Sequence, residues 1–299
     1  MCGIVGLFLK NEALRPLLGG WLARMLVEMG DRGPDSAGFA VYRRPAPEGA
    51  VKITLFHPDP AFAWAALAEG FAAGLGCRAA AERRGNHAVL TADVDEAAAR
   101  AWIAAHHPEL RVMGFGQRIE VFKDMGGPAA VAERFGLAGM DGTHALGHTR
   151  MATESAVTTE HSHPFAVGAE LCLVHNGSLS NHNSLRRNLA RHGIRFDTDN
   201  DSEVAAGYFA HQMQQGASLA EAMEAGLADL DGFYTFAVGT RDGFAVLRDP
   251  IACKPAILAE TDDWVAMGSE WKAIAPLPGA ERATVWEPKP ATVYAWGRA

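Results

Sequence analysis

The chain begins with apolar runs and turn residues that predict a strand, a helix and a second strand. "CGIVGLFL" (residues 2–9) is apolar throughout, which is typical of a buried strand. "PLLGGWLARMLVEMGDRG" (residues 16–33) has helical periodicity that ends at Gly30, and "SAGFAVYRR" (residues 36–44) is again strand-like. The first predicted strand therefore starts at a cysteine, Cys2.

Beyond Asp141 the pattern consists mostly of strands and turns. Turn residues such as the Arg-Asp-Gly at 241–243 join neighbouring apolar runs, as in antiparallel hairpins. Three helical patterns interrupt the strands, at residues 181–193, 201–216 and 218–230. This order predicts an α+β fold with antiparallel sheets covered by helices.

The segment from about residue 45 to 140 has a different texture. A loop-like stretch is followed by an alanine-rich helix at residues 60–85 and then by strand, helix and strand patterns. No long polar linker flanks the segment, so it is predicted to pack on the main domain instead of forming an independent one. We therefore expect one domain over residues 1–299, interrupted by an inserted α/β segment.

Composition and charge narrow the class of protein. The 299 residues are 48% hydrophobic, enough for a large core, and the formal net charge of −8 with scattered basic residues argues against nucleic-acid binding. Charged residues interrupt the first apolar stretch, so it matches neither a secretory signal nor a membrane span. Four dispersed cysteines make neither a disulfide scaffold nor a metal motif. A cytoplasmic protein with reduced thiols and a small-molecule or protein partner is expected.

Cys2 has two interpretations when it is taken alone. It is either a small apolar residue of the first strand or a nucleophile. A thiol reacts as the thiolate, and removal of Met1 would leave Cys2 with a free α-amine that can accept the thiol proton. The second interpretation requires substrate-binding groups elsewhere in the chain.

Four further stretches offer such groups. Residues 32–38, "RGPDSAG", form a loop before a strand, and Arg150 ends a strand where a guanidinium can bind a carboxylate. Asn176 and Gly177 follow an apolar strand and can supply oxyanion donors, and Asp201 opens a helix where it can face an ammonium. Each alone could be a turn, a surface ion pair or a helix cap. Together they suit a substrate with an α-carboxylate, an α-ammonium and a side-chain amide.

The chain resembles the class II glutamine amidotransferase domain of the N-terminal nucleophile hydrolases. The resemblance lies in five stretches in this order, "MCGIVGLF", "RGPDSAG", "GHTRMAT", "HNGSLSN" and "DNDSEV". Farther on, "LRDPIACKPAIL" and "VAMGSEWKAI" resemble the paired strands that close that domain, so the match covers residues 1 to about 44 and 141 to about 275. It implies a four-layer αββα sandwich and hydrolysis of L-glutamine to glutamate and ammonia.

The resemblance also implies a role for each matched residue. These are Cys2 as nucleophile, Asn176 and Gly177 as oxyanion hole, Arg150 for the α-carboxylate, Asp201 for the α-amino group, and Thr153 and Arg32 as further substrate-binding residues. His161 and His163 would share one face of a strand as possible metal ligands. The matching family positions form a loop without metal, so no metal site is expected.

Two positions depart from the family pattern. Met151 stands where an aromatic residue is usual, and Glu154 stands where a neutral or basic residue is usual. These departures keep open a catalytically weak or inactive subunit with a structural or glutamine-sensing role. A different N-terminal cysteine amidase is a third possibility, which the pair of Arg150 and Asp201 disfavours because it suits a free amino acid.

The acceptor of the ammonia is expected on another subunit, because the chain ends at Ala299, shortly after the matched region. Free-standing glutaminase subunits of split glutamate-synthase-like enzymes, including N-methylglutamate synthase, are similar in this respect. The expected partners are L-glutamine and the synthase subunits of a hetero-oligomeric complex, with no nucleic acid or membrane. Any flavin or iron–sulphur cluster would lie on the partner, since four dispersed cysteines cannot ligate a cluster.

Overall fold

Two antiparallel sheets lie face to face at the centre of the molecule. The structure is a computed structural model and describes residues 2–152 and 157–297. The strands are β1 (Gly3–Leu9), β2 (Ser36–Tyr42), β3 (Val51–Phe56), β4 (Ala79–Arg84), β5 (His87–Ala92), β6 (Arg111–Gly116), β7 (Ile119–Met125), β8 (His144–Arg150), β9 (Phe165–Ala166), β10 (Cys172–Leu179), β11 (Gly232–Thr240), β12 (Gly243–Arg248), β13 (Ile257–Glu260), β14 (Trp264–Gly268), β15 (Thr284–Trp286) and β16 (Val293–Gly297). The helices are α1 (Leu18–Glu28), α2 (Trp64–Leu75), α3 (Glu96–His106), α4 (Pro128–Arg134), α5 (His182–Arg191), α6 (Asp201–Gln214), α7 (Leu219–Asp229) and α8 (Trp271–Ile274).

Strand β1 lies near the middle of the larger central sheet. Among the described residues this sheet has seven strands in the order β15-β13-β14-β1-β8-β2-β7, and the facing sheet has five in the order β16-β12-β11-β10-β9. Side chains alternate along β1, so Val5 and Leu7 pack against α1 while Ile4 and Phe8 pack toward the second sheet. Burial on both faces explains why the run is apolar at every position.

Helices cover the outer face of each sheet. Helices α1, α4 and α8 pack on the larger sheet, and α5, α6 and α7 pack on the smaller one. Between the sheets lies a separate apolar core that includes Leu146, Val174, Phe244 and Met267. The order of layers is helix, sheet, sheet, helix, which confirms the predicted four-layer αββα sandwich.

Residues 51–116 form a third sheet of their own. The order β4-β5-β3-β6 with α2 and α3 between the strands is the split βαβ arrangement of ferredoxin-like folds. On one face the helices pack over Ile53 and Leu55 of β3, with Phe71 of α2 in the same core. The other face packs on the main domain, where the Val121 N–H donates to Thr54 Oγ1 at 3.2 Å.

The inserted sheet is shorter than the segment predicted at about 45–140. Strand β7 pairs with β2 at the edge of the larger central sheet, and α4 packs beside α1. An apolar strand pattern has the same appearance whichever sheet it joins, so the sequence could not assign β7. The predicted first helix is also shorter than expected, because 3-10 turns at Glu12–Leu17 and Gly30–Arg32 flank α1.

Within residues 2–152 and 157–297, no helix has both the length and the apolar character that a membrane crossing requires.

His87 gives the stability of the fold a defined pH dependence. It is fully buried where the inserted sheet meets the main domain, 4.8 Å from the ring of Phe135 and 5.2 Å from that of Phe56. Burial lowers the pKa of His87 to about 3. Because an unfolded histidine protonates near pH 6.5, unfolding takes up a proton between these values. This contribution to stability is complete above about pH 6.5 and is lost as the pH falls toward 3, at about 1.4 kcal/mol per pH unit.

We expect His87→Phe to reduce the pH dependence of the free energy of unfolding by about that slope between roughly pH 6.5 and 4. Urea unfolding at a series of pH values measures it. His106→Gln, at an exposed histidine, is the control and should keep the wild-type slope. The same slope in His87→Phe as in the wild type would contradict the assignment.

Candidate active site

Strands β1, β8 and β10 bring Cys2, Arg150 and Asn176 together. Gly3 lies opposite Thr149 in the pairing of β1 with β8, so Cys2 lies beside Arg150 at the end of the pair. From the second sheet, the side-chain amide of Asn176 donates to the carbonyl oxygen of Cys2 at 3.3 Å, although the two are 174 residues apart in the chain. Both Arg150 and Asn176 are buried.

Arg32 also donates a hydrogen bond to the same carbonyl oxygen. Its Nε donates to the Cys2 oxygen at 3.0 Å, and its Nη1 donates to Glu270 Oε1 at 2.5 Å. This hydrogen bond and the positive charge hold the pKa of the Glu270 carboxyl below its usual range. Arg32 therefore contacts the backbone of Cys2. Glu270 was not among the predicted site residues, although it stands two residues after the end of β14 in the stretch "GSEW".

Asn176 and Gly177 belong to β10 and do not form a hairpin turn. They pair with Thr235 and Tyr234 of β11, which excludes the turn interpretation. Gly177 has a φ of 152°, and a Cβ at this position would lie 2.0 Å from the carbonyl oxygen of Phe233. Only glycine fits there without displacing β11.

Asp201 is the first residue of α6 but is not its cap. Asn200 caps the helix, because its side chain accepts from the Ser202 N–H at 2.8 Å. Asp201 Oδ2 instead accepts from the Leu179 N–H at 2.9 Å, two residues beyond Gly177. The carboxylate is thereby attached to the end of the strand that carries the oxyanion candidates.

Three buried histidines lie behind these residues. His148 Nε2 bonds to the carbonyl oxygen of His175 at 3.0 Å, and the ring of His163 stacks on that of His148. Burial lowers the pKa of His148 to about 3 and also lowers those of His163 and His175, so the three rings are neutral at pH 7. In the sequence, this cluster was indicated by the several histidines that lie close together between residues 144 and 175.

The cluster does not have the arrangement of a metal site. His161 Nε2 lies 3.1 Å from Asp199 Oδ1, whereas His163 Nε2 bonds to Ser202 Oγ at 2.8 Å. Across the two described ranges, no three His, Cys, Asp or Glu side chains converge as metal ligands.

Two of the positions that the sequence analysis singled out lie outside the described residues. These are Thr153, predicted to contact the substrate, and Glu154. Met151 precedes them with 39% of its surface exposed, and the Arg150 carbonyl accepts from the Asp35 N–H at 3.1 Å.

Comparison with known proteins agrees with this geometry. A glutamine amidotransferase domain model matches residues 148–276. The "glutamine amidotransferase-like protein GlxB" of Rhizobium meliloti (strain 1021) is 54% identical over 298 residues, which cover 99% of this chain and 98% of that protein. The chain belongs to the class II glutamine amidotransferase family. The resemblance recognised in the sequence is thus confirmed.

More distant proteins are similar to this chain in sequence or in fold. A putative glutamine amidotransferase of Methanothermobacter thermautotrophicus is 32% identical over 291 residues, which cover 90% of this chain and 92% of that protein. The solved structure of glutamine phosphoribosylpyrophosphate amidotransferase from B. subtilis superposes with a TM-score of 0.63 at 19% identity. That match covers 99% of this chain and 47% of the other, so this chain spans about half the length of that enzyme chain. The shared fold is that of the N-terminal nucleophile hydrolases.

The close approach at Gly177 leads to a stability prediction. Gly177→Ala should lower the free energy of unfolding by about 3 kcal/mol, because the new methyl group overlaps the Phe233 carbonyl in a backbone conformation that disfavours side chains. Gly168→Ala is the control, since Gly168 also has a positive φ but faces open space, and should cost about 1 kcal/mol. Urea unfolding followed by tryptophan fluorescence compares the two, and equal losses would contradict the steric argument.

Proposed function

We propose that this amidotransferase hydrolyses L-glutamine to glutamate and ammonia with Cys2 as the nucleophile. The observation that carries the proposal is the 3.3 Å contact between the Asn176 amide nitrogen and the Cys2 carbonyl oxygen. It sets a side-chain donor directly beside the residue that would form the thioester. Membership of the amidotransferase family supports the same chemistry.

The first half of the proposed reaction forms a thioester. Removal of Met1 leaves Cys2 with an α-amine, which takes the thiol proton while Sγ attacks the side-chain carbonyl carbon of glutamine. The oxyanion is stabilised by the Asn176 amide and the Gly177 N–H. The carbon–nitrogen bond then breaks, and the amine's proton goes to the leaving ammonia.

The second half returns the enzyme to its starting state. Water attacks the γ-glutamyl thioester and the α-amine takes the water proton; the carbon–sulfur bond then breaks to release glutamate, and the same proton passes from the α-ammonium to the departing Cys2 sulfur, which restores the thiol and the free amine. Arg150 would bind the α-carboxylate, Asp201 the α-ammonium, and Thr153 a further part of the substrate. Arg32 would keep the Cys2 backbone in place through its carbonyl.

The ammonia would be used by a separate subunit. We propose a glutamate-synthase-like or N-methylglutamate-synthase-like partner in a hetero-oligomeric complex, with flavin and an iron–sulphur cluster on that partner. The support is the resemblance of this chain to free-standing glutaminase subunits. An increase in glutamine hydrolysis on addition of the purified partner would test it.

Labelling of Cys2 tests the nucleophile directly. Intact mass spectrometry should show loss of Met1 and a single adduct on Cys2 from a glutamine-analogue electrophile, and excess glutamine should prevent the adduct. Cys253→Ser, at an exposed cysteine, should label like the wild type, and Cys2→Ser should not label. Retained Met1 with no adduct would instead favour the structural or glutamine-sensing subunit.

Kinetic constants separate the two proposed roles of the site residues. Asn176→Ala should lower kcat about a hundredfold with little change in KM, because the oxyanion forms only along the reaction path. Arg150→Gln should mainly raise KM, since the α-carboxylate is bound equally in the ground state and the transition state. Steady-state assays of glutamate release measure both, and a similar pattern in the two variants would count against these roles.

A further inference from the structure

Ser202 lies at the centre of a buried chain of hydrogen bonds behind the site. Its hydroxyl lies 2.8 Å from His163 Nε2, 2.9 Å from His175 Nδ1 and 3.3 Å from Asp201 Oδ1. The serine is 1% exposed, and His148 extends the chain through the carbonyl of His175. These hydrogen bonds therefore join β8, β10 and α6, the elements that carry the proposed site residues.

The unpaired atoms of the cluster define where its protons lie. In the part of the chain that the structure describes, His148 Nδ1, His163 Nδ1 and His175 Nε2 are buried without a hydrogen-bond partner. A neutral imidazole has one N–H and one bare nitrogen, and a buried N–H without an acceptor is costly. The N–H of each ring therefore lies on its partnered nitrogen, so that His163 and His175 both donate to the Ser202 oxygen.

Of the three atoms that contact the Ser202 hydroxyl, Asp201 Oδ1 is then the one left to accept its proton. Because both imidazoles donate to its oxygen, the serine donates to Asp201 Oδ1. If the serine donated to either ring instead, that ring would have to carry its proton on the nitrogen that has no partner. Asp201 Oδ2 already accepts from the Leu179 N–H, so both carboxylate oxygens are held.

We propose that Ser202 is a positioning residue that aims the Asp201 carboxylate at the α-ammonium of glutamine, with His163 and His175 as donors to its hydroxyl. The inference rests on the proposed function, in which Asp201 binds that ammonium. A hydroxyl that accepts two hydrogen bonds is polarised and becomes a stronger donor. Asp201 thus keeps one orientation and faces the substrate without a change of rotamer.

This role predicts a specific kinetic signature. The α-ammonium lies away from the reacting amide, so its contact with Asp201 is equally strong in the ground state and the transition state. Loss of the Ser202 hydroxyl should therefore raise KM for glutamine and leave kcat nearly unchanged. Glutaramate, which has the side-chain amide but no α-ammonium, should not be affected.

The experiment compares processed wild type, Ser202→Ala and Tyr208→Phe. Tyr208 is the matched control, because it lies on the same helix and its hydroxyl donates to Asp229 at 2.6 Å, away from the cluster. In Ser202→Ala we expect about a tenfold rise in KM for glutamine, kcat within about twofold, and an unchanged inhibition constant for glutaramate as a competitor. Tyr208→Phe should keep all three wild-type values.

The outcomes distinguish this inference from the proposed function. A correctly processed wild type that does not hydrolyse glutamine overturns the proposed function and the inference with it. An active wild type overturns the inference alone if Ser202→Ala has an unchanged KM, or if glutamine and glutaramate are weakened to the same degree. Should Ser202→Ala fail to fold, Ser202→Cys keeps the shape of the side chain, slightly enlarged, with a weaker donor and allows the same comparison.

Discussion

The pairing of β1 between β8 and β14 fixes the backbone of Cys2, and the geometry of the site depends on it. The pairing with β8 reaches Gly3, next to Cys2. On the β14 side, the Ile4 N–H donates to Ser269 Oγ and the Ile4 carbonyl accepts from the Ser269 N–H, both at 2.9 Å. A shift of β1 by one residue would exchange the side chains that face α1 with those that face the second sheet. The apolar core on both sides of β1 therefore determines where the proposed nucleophile lies.

The site also needs the two central sheets to keep a fixed separation. Cys2 directly precedes β1 of one sheet and Asn176 belongs to β10 of the other, and the Asn176 amide donates a hydrogen bond to the Cys2 carbonyl oxygen. Close packing between the sheets, in the layer that contains Leu146 and Val174, makes that distance resistant to change. Asp201 is attached to the same strand as Asn176 through Leu179, so the proposed amine and oxyanion contacts share one support.

The sequence predicted the layers and the order of the site motifs, but it did not predict contacts between distant residues. An apolar pattern reports that a strand is buried and does not say which sheet it joins, which is why β7 was included in the insertion. Asn200, Asp201 and Ser202 are adjacent polar residues that could each cap α6, and only the backbone geometry assigns the cap to Asn200.

Glu270 was missed for a related reason. Its importance depends on Arg32, which is 238 residues away in the chain. The histidines were visible as a crowded stretch, yet their function as partners of Ser202 depends on α6, which no spacing rule connects to them.

Burial of three neutral imidazoles has an energetic consequence that favours a single arrangement. Each ring has one N–H to satisfy, and an unsatisfied buried donor costs about 1–3 kcal/mol. His163 and His175 share one acceptor, the Ser202 oxygen, so the orientation of either ring constrains the other. A network of this kind is stable only when it is complete, and it then specifies one geometry more strictly than apolar packing does. The positions of β8, β10 and α6 are therefore coupled behind the site, where a small displacement would separate the groups that are proposed to bind the two ends of an amino-acid substrate.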